Sequence, residues 1–173
     1  MDIAAELKSS RAKSNIDKIT AYIADDPELF GEIAHIVFTD KSRLRWIAAW
    51  CMSDCVNDYP QLITPYLDRL VDELQKPLDA GTKRNFVRML QVANIPQHLS
   101  FELADICLRF LKDREEPVAV KAFSMTVLEN LVKHIPELRE ELIFEIERIM
   151  PYSTAAIKSR GMHILKRLQA VRR

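Results

Sequence analysis

Glycine is scarce in this chain, three in 173 residues, and no segment alternates with the period of two that marks a half-buried strand. A sheet-rich fold is excluded. So are the glycine-rich loops that cradle phosphates and the Gly-x-Ser-x-Gly elbow of the α/β hydrolases. Long apolar runs are missing too. The longest stretch without Asp, Glu, Lys or Arg runs from Met89 to Phe101 and contains Pro96 and His98, well short of the ~20 apolar residues that span a bilayer. No membrane is expected. Net charge is absent, with 25 Lys+Arg against 25 Asp+Glu, so no global field gathers nucleic acid. Cysteine is limited to Cys51, Cys55 and Cys107, and the opening MDIAAELK carries no apolar segment of a secretory leader. A reducing, cytoplasmic setting is expected.

What is present is helical spacing almost everywhere. In SFELADICLRFLKD, Asp105, Arg109 and Lys112 fall on one stripe while Leu103, Ala104, Cys107, Leu108 and Leu111 lie away from it. Proline supplies the punctuation, because it fits a first helical turn or a connection and breaks a helix interior. Pro27, Pro60, Pro96 and Pro136 recur at intervals of 33, 36 and 40, each opening a helix or its lead-in. Pro77, Pro117 and Pro151 sit in the connections between, and Pro65 behind Thr64 reads as a first-turn residue after its cap. Helices therefore come in pairs.

Laying the second helix of each pair over the others sharpens the pattern. LRWIA, KRNFV, VKAFS and IKSRG place the basic residues Arg45, Arg84, Lys121 and Lys158 at intervals of 39, 37 and 37. Five residues earlier stand Asp40, Asp79, Glu116 and Ser153; three later stand Ala48, Val87, Ser124 and Gly161, small enough for a neighbouring helix to approach. This pattern resembles the HEAT family of helical repeats, with Lys83 and Ser153 as departures. The resemblance implies an all-α fold, a short HEAT-like α-solenoid of four to five helix pairs in one domain. Residues 1–26 would be N-terminal capping helices and the repeats about 27–58, 59–94, 95–134 and 135–171. A lone helix pair cannot cover both of its apolar faces, so pairs stack and share a core. The second helices, about 41–57, 80–94, 117–134 and 154–171, would line the concave side, with 14–24 as an extra helix of that layer. Asp40 and Asp79 suit helix N-termini, and in such stacks a carboxylate among Asp40, Asp79 and Glu116 is expected to contact Arg84 or Lys121 of a neighbouring repeat.

The runs AVKAFSMTVLENL and AAIKSRGMHILKRL also resemble a group of small bacterial HEAT-like proteins that sometimes carry the name adenylosuccinate lyase. The lyase signature S-S-x-M-P-x-K-x-N is matched by neither KSSRAKSN nor RIMPYSTA, and no catalytic residue follows from the resemblance. Cys51 and Cys55 lie one turn apart, but no other Cys or His stands near to complete a metal site, and core packing is expected. The chain has no His-Glu dipeptide, unlike the HEAT-type iron hydroxylases. No cofactor is called for. Trp46, Trp50 and Asp54 share one helix face, an arrangement similar to that of the HEAT-like DNA alkylation-repair glycosylases, with Arg84 or Arg88 as the basic partner.

Sorting charge by layer exposes a split that the zero total hides. The second-helix segments carry twelve basic and six acidic residues, the outer segments seven basic and fourteen acidic, and Arg172 and Arg173 add two more positive charges. A cleft gathering one sign of charge attracts its opposite. The expected function is a non-catalytic binding or scaffold module whose basic concave face takes an anionic partner, above all another protein with an acidic surface. A DNA-binding or alkylation-repair role is the alternative. The expected contact residues are Trp46, Trp50, Arg88, Lys158, Arg160, Lys166 and Arg167.

Overall fold

The computed structural model describes residues 1–170. Val171, the expected end of the last repeat, lies outside the described residues with Arg172 and Arg173. Among those described, every regular element is a helix: α1 (Ile3–Ser9), α2 (Lys13–Ile23), α3 (Pro27–Thr39), α4 (Arg43–Asp58), α5 (Leu67–Leu74), α6 (Ala80–Leu90), α7 (Gln97–Lys112), α8 (Val118–Leu131), α9 (Leu138–Ile149) and α10 (Ala155–Ala170), with short 3₁₀ turns at Pro60–Tyr66 and Met150–Tyr152. None of these helices is long and apolar enough to cross a membrane. The chain forms two compact units, Met1–Asn94 and a second beginning at Ile95.

In the first unit, α4 packs against α2, α3 and α6. Four of its helices, α1, α3, α4 and α6, begin where side chains satisfy the first free N–H groups. Asp26 accepts from the amides of Glu28 and Leu29 at 2.8 and 3.2 Å, ahead of Pro27 at the first helical position. Ser42 opens α4 and Asp79 opens α6 in the same way, at 3.2 and 2.9 Å. Between them the expected role of Pro65 is not met: it lies inside the 3₁₀ segment, and α5 starts only at Leu67. Pro60 and Pro65 both lack the N–H an α-helix would use, so the chain winds in a tighter i→i+3 turn before α5 can form. The core closes over Phe30, Tyr66, Phe38 and Phe86, whose rings, taken in that order, lie 5.7–6.1 Å apart in successive pairs.

The second unit repeats the scheme: α7 pairs with α8, α9 with α10, and α8 packs on α10. The small positions mark close approaches. A Cβ built on Gly161 would stand 2.9 Å from Ile146 Cγ2 and from Met150 Sδ, so α10 rides directly on the end of α9. Ala48, Val87 and Ser124 are fully buried at the equivalent positions. The helices α6 and α8 end at Leu90 and Leu131, a few residues before the expected 94 and 134, the last stretch of each relaxing into turns.

Candidate functional site

Within the first unit the helical repeat brings Trp46, Trp50 and Asp54 onto one face of α4, as their i, i+4, i+8 spacing requires. The indole rings are 6.3 Å apart and tilted by 39°. Both are half-buried. Trp46 is wedged against α6, where a Cβ on Gly81 would fall 1.9 Å from its Cδ1; only glycine leaves room for that ring. Lys13 Nζ stands 5.9 Å from the centre of Trp50. A cleft of about 430 Å³ lies at the start of α4, lined by Lys41, Ser42, Arg43, Trp46 and Asp79.

Asp54 is not open to a ligand. Its side chain is only 13% exposed, and both oxygens are occupied: Lys13 Nζ at 2.9 Å from Oδ2 and Arg88 Nη1 at 2.7 Å from Oδ1. Arg88 is thus the basic partner, while Arg84, one turn earlier on the same side of α6, is exposed. A base-excision role would need this carboxylate to meet a nucleotide, and two cations on two other helices already hold it.

Two of the acids at the repeat starts, Asp40 and Asp79, act within their own turns. Asp40 accepts from the amide of Ser42 at 2.6 Å, and the Ser42 hydroxyl first, with that amide second, holds its carboxyl below the usual range, while Asp79 caps α6. Of the expected contacts, the one between Asp40 and Arg84 is not formed among the described residues, and the ion pairs of this unit run through other acids. Glu73 pairs with Arg45, which also lies 5.6 Å from the Phe86 ring, and accepts from Lys76 at 2.6 Å. Burial works against ionising Glu73, but the hydrogen bonds from Lys76 and Arg45 prevail and keep its carboxyl below its ordinary value.

All three thiols are buried and unbridged. Cys51 Sγ is 3.5 Å from Thr20 Oγ1. The hydrogen bond with Cys51, together with burial, pushes the Cys55 thiol up, and burial pushes Cys107 up to about 12. Neither has the electropositive, open setting of a reactive cysteine. Among the described residues no group of three or more His, Cys, Asp or Glu is placed to hold a metal ion.

In the second unit the four expected cations of α10 separate into two kinds. Arg160 is half-buried, donating from Nη1 to Thr126 Oγ1 at 3.0 Å and to the Ala122 carbonyl at 3.3 Å, with its guanidinium 5.5 Å from the Phe123 ring. Arg167 is bidentate on Glu129, at 2.6 and 2.8 Å. Lys158 and Lys166, by contrast, are exposed and form no ion pair among the described residues. Between them at helical spacing sits Met162, 57% exposed. It lines a groove of about 350 Å³ with Met150, Pro151, Lys158 and Glu147, and a second of about 560 Å³ with Leu165, Lys166, Gln169 and Ala170. Sequence reasoning does not single out this methionine, although its spacing from Lys158 and Lys166 is the signal that could have found it.

Comparison with curated proteins and with solved structures returns no match. The family model described as the HEAT repeat domain matches residues 3–168, nearly the whole run of helices. With helices paired and like helices stacked inside each unit, the chain belongs to the HEAT repeat domain family.

Proposed function

We propose that the protein is a non-catalytic interaction module and that α10 is the strip that meets its partner, an acidic protein segment carrying at least one apolar side chain. HEAT repeats generally mediate protein–protein interaction or scaffolding. One observation carries the finer reading: α10 contains no acid, and along its exposed face Lys158, Met162 and Lys166 follow one another at i, i+4 and i+8. Two unpaired ammonium groups flank an apolar groove, so carboxylates of a partner would meet lysines while an apolar residue covers Met162. Arg160 and Arg167, already engaged on α8, shape this strip more than they bind. Trp46, Trp50 and Arg88 offer a second contact surface in the first unit, where half-buried indoles leave part of each ring available. The same reading puts the chain in the cytoplasm, a reducing setting that suits three unbridged thiols.

The test is fluorescence anisotropy with two labelled probes, a Glu-rich peptide bearing one leucine and a short duplex with normal or alkylated bases. Peptide binding that weakens about tenfold in Lys158→Glu or Lys166→Glu, and weakens as salt rises, is the expected result. Salt-sensitive binding of duplex in preference to peptide would move the reading to nucleic acid. Release of an alkylated base, abolished by Asp54→Asn, would end the non-catalytic reading.

A further inference from the structure

A second polar feature of the Ile95 unit lies apart from the α10 strip. Where α7 ends, the chain turns back through residues 113–117 into α8, and α9 ends beside this turn. A cleft of about 600 Å³ opens there, within the range of small-molecule sites. Its floor is Leu111 and Ile149; its walls carry Lys112, Arg114, Lys121 and Arg148; Tyr152 stands at its edge. Four cations from four separate pieces of chain converge on one concavity.

Acids offset only two of them. Glu141 takes Lys112 at 3.0 Å. Glu145, its side chain 7% exposed, accepts from Arg148 Nε and Nη2 at 2.8 and 2.7 Å and so fixes that guanidinium at the cleft wall. Arg114 and Lys121 form no ion pair among the described residues; Lys121 Nζ donates instead to the Arg114 carbonyl at 3.2 Å, which ties the loop and α8 together and keeps the ammonium over the cleft. In the same loop Asp113 accepts from the Glu115 amide at 2.9 Å, and among the described residues no acid lines the cleft. The cleft therefore holds two cations without counter-charges, a third guanidinium already oriented, an apolar floor, and a phenol that is 93% exposed.

We propose that this cleft binds a small phosphorylated ligand of nucleotide size, its phosphate held by Arg114, Lys121 and Arg148 and its remaining part lying on Leu111, Ile149 and the ring of Tyr152. A forked guanidinium and a point-charge ammonium together suit a phosphate, with charge-assisted hydrogen bonds on more than one oxygen. A single carboxylate would satisfy only part of this donor set. The site is independent of the α10 strip, since neither Met162 nor Lys166 lines it.

Titration calorimetry of the full chain with ADP, inorganic pyrophosphate and adenosine tests the proposal. ADP is expected to bind with a Kd below about 1 mM, adenosine to give no saturable signal, and Arg114→Gln and Lys121→Gln each to weaken ADP about tenfold. Arg114 is exposed in a loop, so its removal leaves the fold intact and keeps the test valid if Lys121→Gln proves unstable. Lys166→Gln is expected to change nothing here. Pyrophosphate binding as tightly as ADP would support the site with phosphate as the whole ligand. Absence of binding by both phosphate compounds, binding that survives Arg114→Gln unchanged, or adenosine binding as well as ADP would each overturn it.

Discussion

Arg45 on α4 and Lys158 on α10 hold the same register in the repeat, yet their surroundings make them different groups. Arg45 is half-buried against Phe86 and paired with Glu73; Lys158 is exposed beside a groove of methionines. Within its unit α4 is enclosed by α2, α3 and α6, while α10 packs mainly on α8 and α9. An enclosed helix has its cations taken up by the acids of its neighbours, as Lys13, Asp54 and Arg88 show on three adjacent helices. A helix open on one flank keeps some of them for a partner. Register fixes where a charge stands, and the neighbouring helices decide whether it serves the fold or a ligand.

The largest expected effect separates two glycines. Gly81→Ala drives a methyl into the ring of Trp46, and overpacking of this kind costs about 1–3 kcal/mol; urea denaturation should show the loss, with tryptophan emission moving to the red as the ring is expelled. Gly161→Ala meets the flexible end of Met150 and a methyl of Ile146. The thioether can yield while the Ile146 methyl is stiffer, and alanine regains up to about 1 kcal/mol of helix propensity, so a smaller net cost is expected. Equal costs at the two sites would break the contrast between a tightly enclosed α4 and a more accommodating α10.

Two acids come second in size. Asp54→Asn leaves Lys13 and Arg88 without their carboxylate in a site only 13% exposed on the acid's side, a loss of about 1–3 kcal/mol. Glu129→Gln releases Arg167, whose side chain is 59% exposed and passes readily into water; less than about 1 kcal/mol is expected. Thermal melts of both variants in one buffer would order them, and the reverse order would show that the first-unit triad is the dispensable one.

The smallest effect is a pH dependence. The Glu73 carboxyl is held below its ordinary 4.5 in the folded chain, so its pairing contributes fully above 4.5 and is lost as pH falls from there through the lowered folded value. Glu73→Gln should flatten stability across that acid interval, by well under about 1 kcal/mol for the surface-near part of the pair, and leave Lys158 and its groove untouched. A variant with an unchanged acid limb would show that Glu73 plays no part in locking α4.

The helices and their pairing were legible because proline spacing, N-caps and small residues act locally, within one turn or one repeat. Pro65 was not, since a 3₁₀ segment and a first α-turn tolerate the same residue and differ only in the hydrogen bonds made further along the chain. The ion pairs escaped for a different reason. Asp54 meets Arg88 across 34 residues and Glu129 meets Arg167 across 38, about one repeat apart, because stacked second helices bring like registers together. The spacing of five within a repeat singled out Asp40, which bonds its own turn instead; the period itself marks the acids that pair. Within the sites, α10 could be read from its lack of acids. The cleft around Lys121 could not, because its four cations come from α7, a loop, α8 and α9, and only folding places them together.

The three buried thiols make the molecule its own clock. Cys51 and Cys55 lie in the first unit and Cys107 in the second, each with no surface at all in the folded chain. An alkylating reagent in excess can reach them only when the surrounding helices part. Two added masses would then time the opening of one unit and a single added mass the other, so an intact-mass measurement would read the breathing of each half with no residue changed.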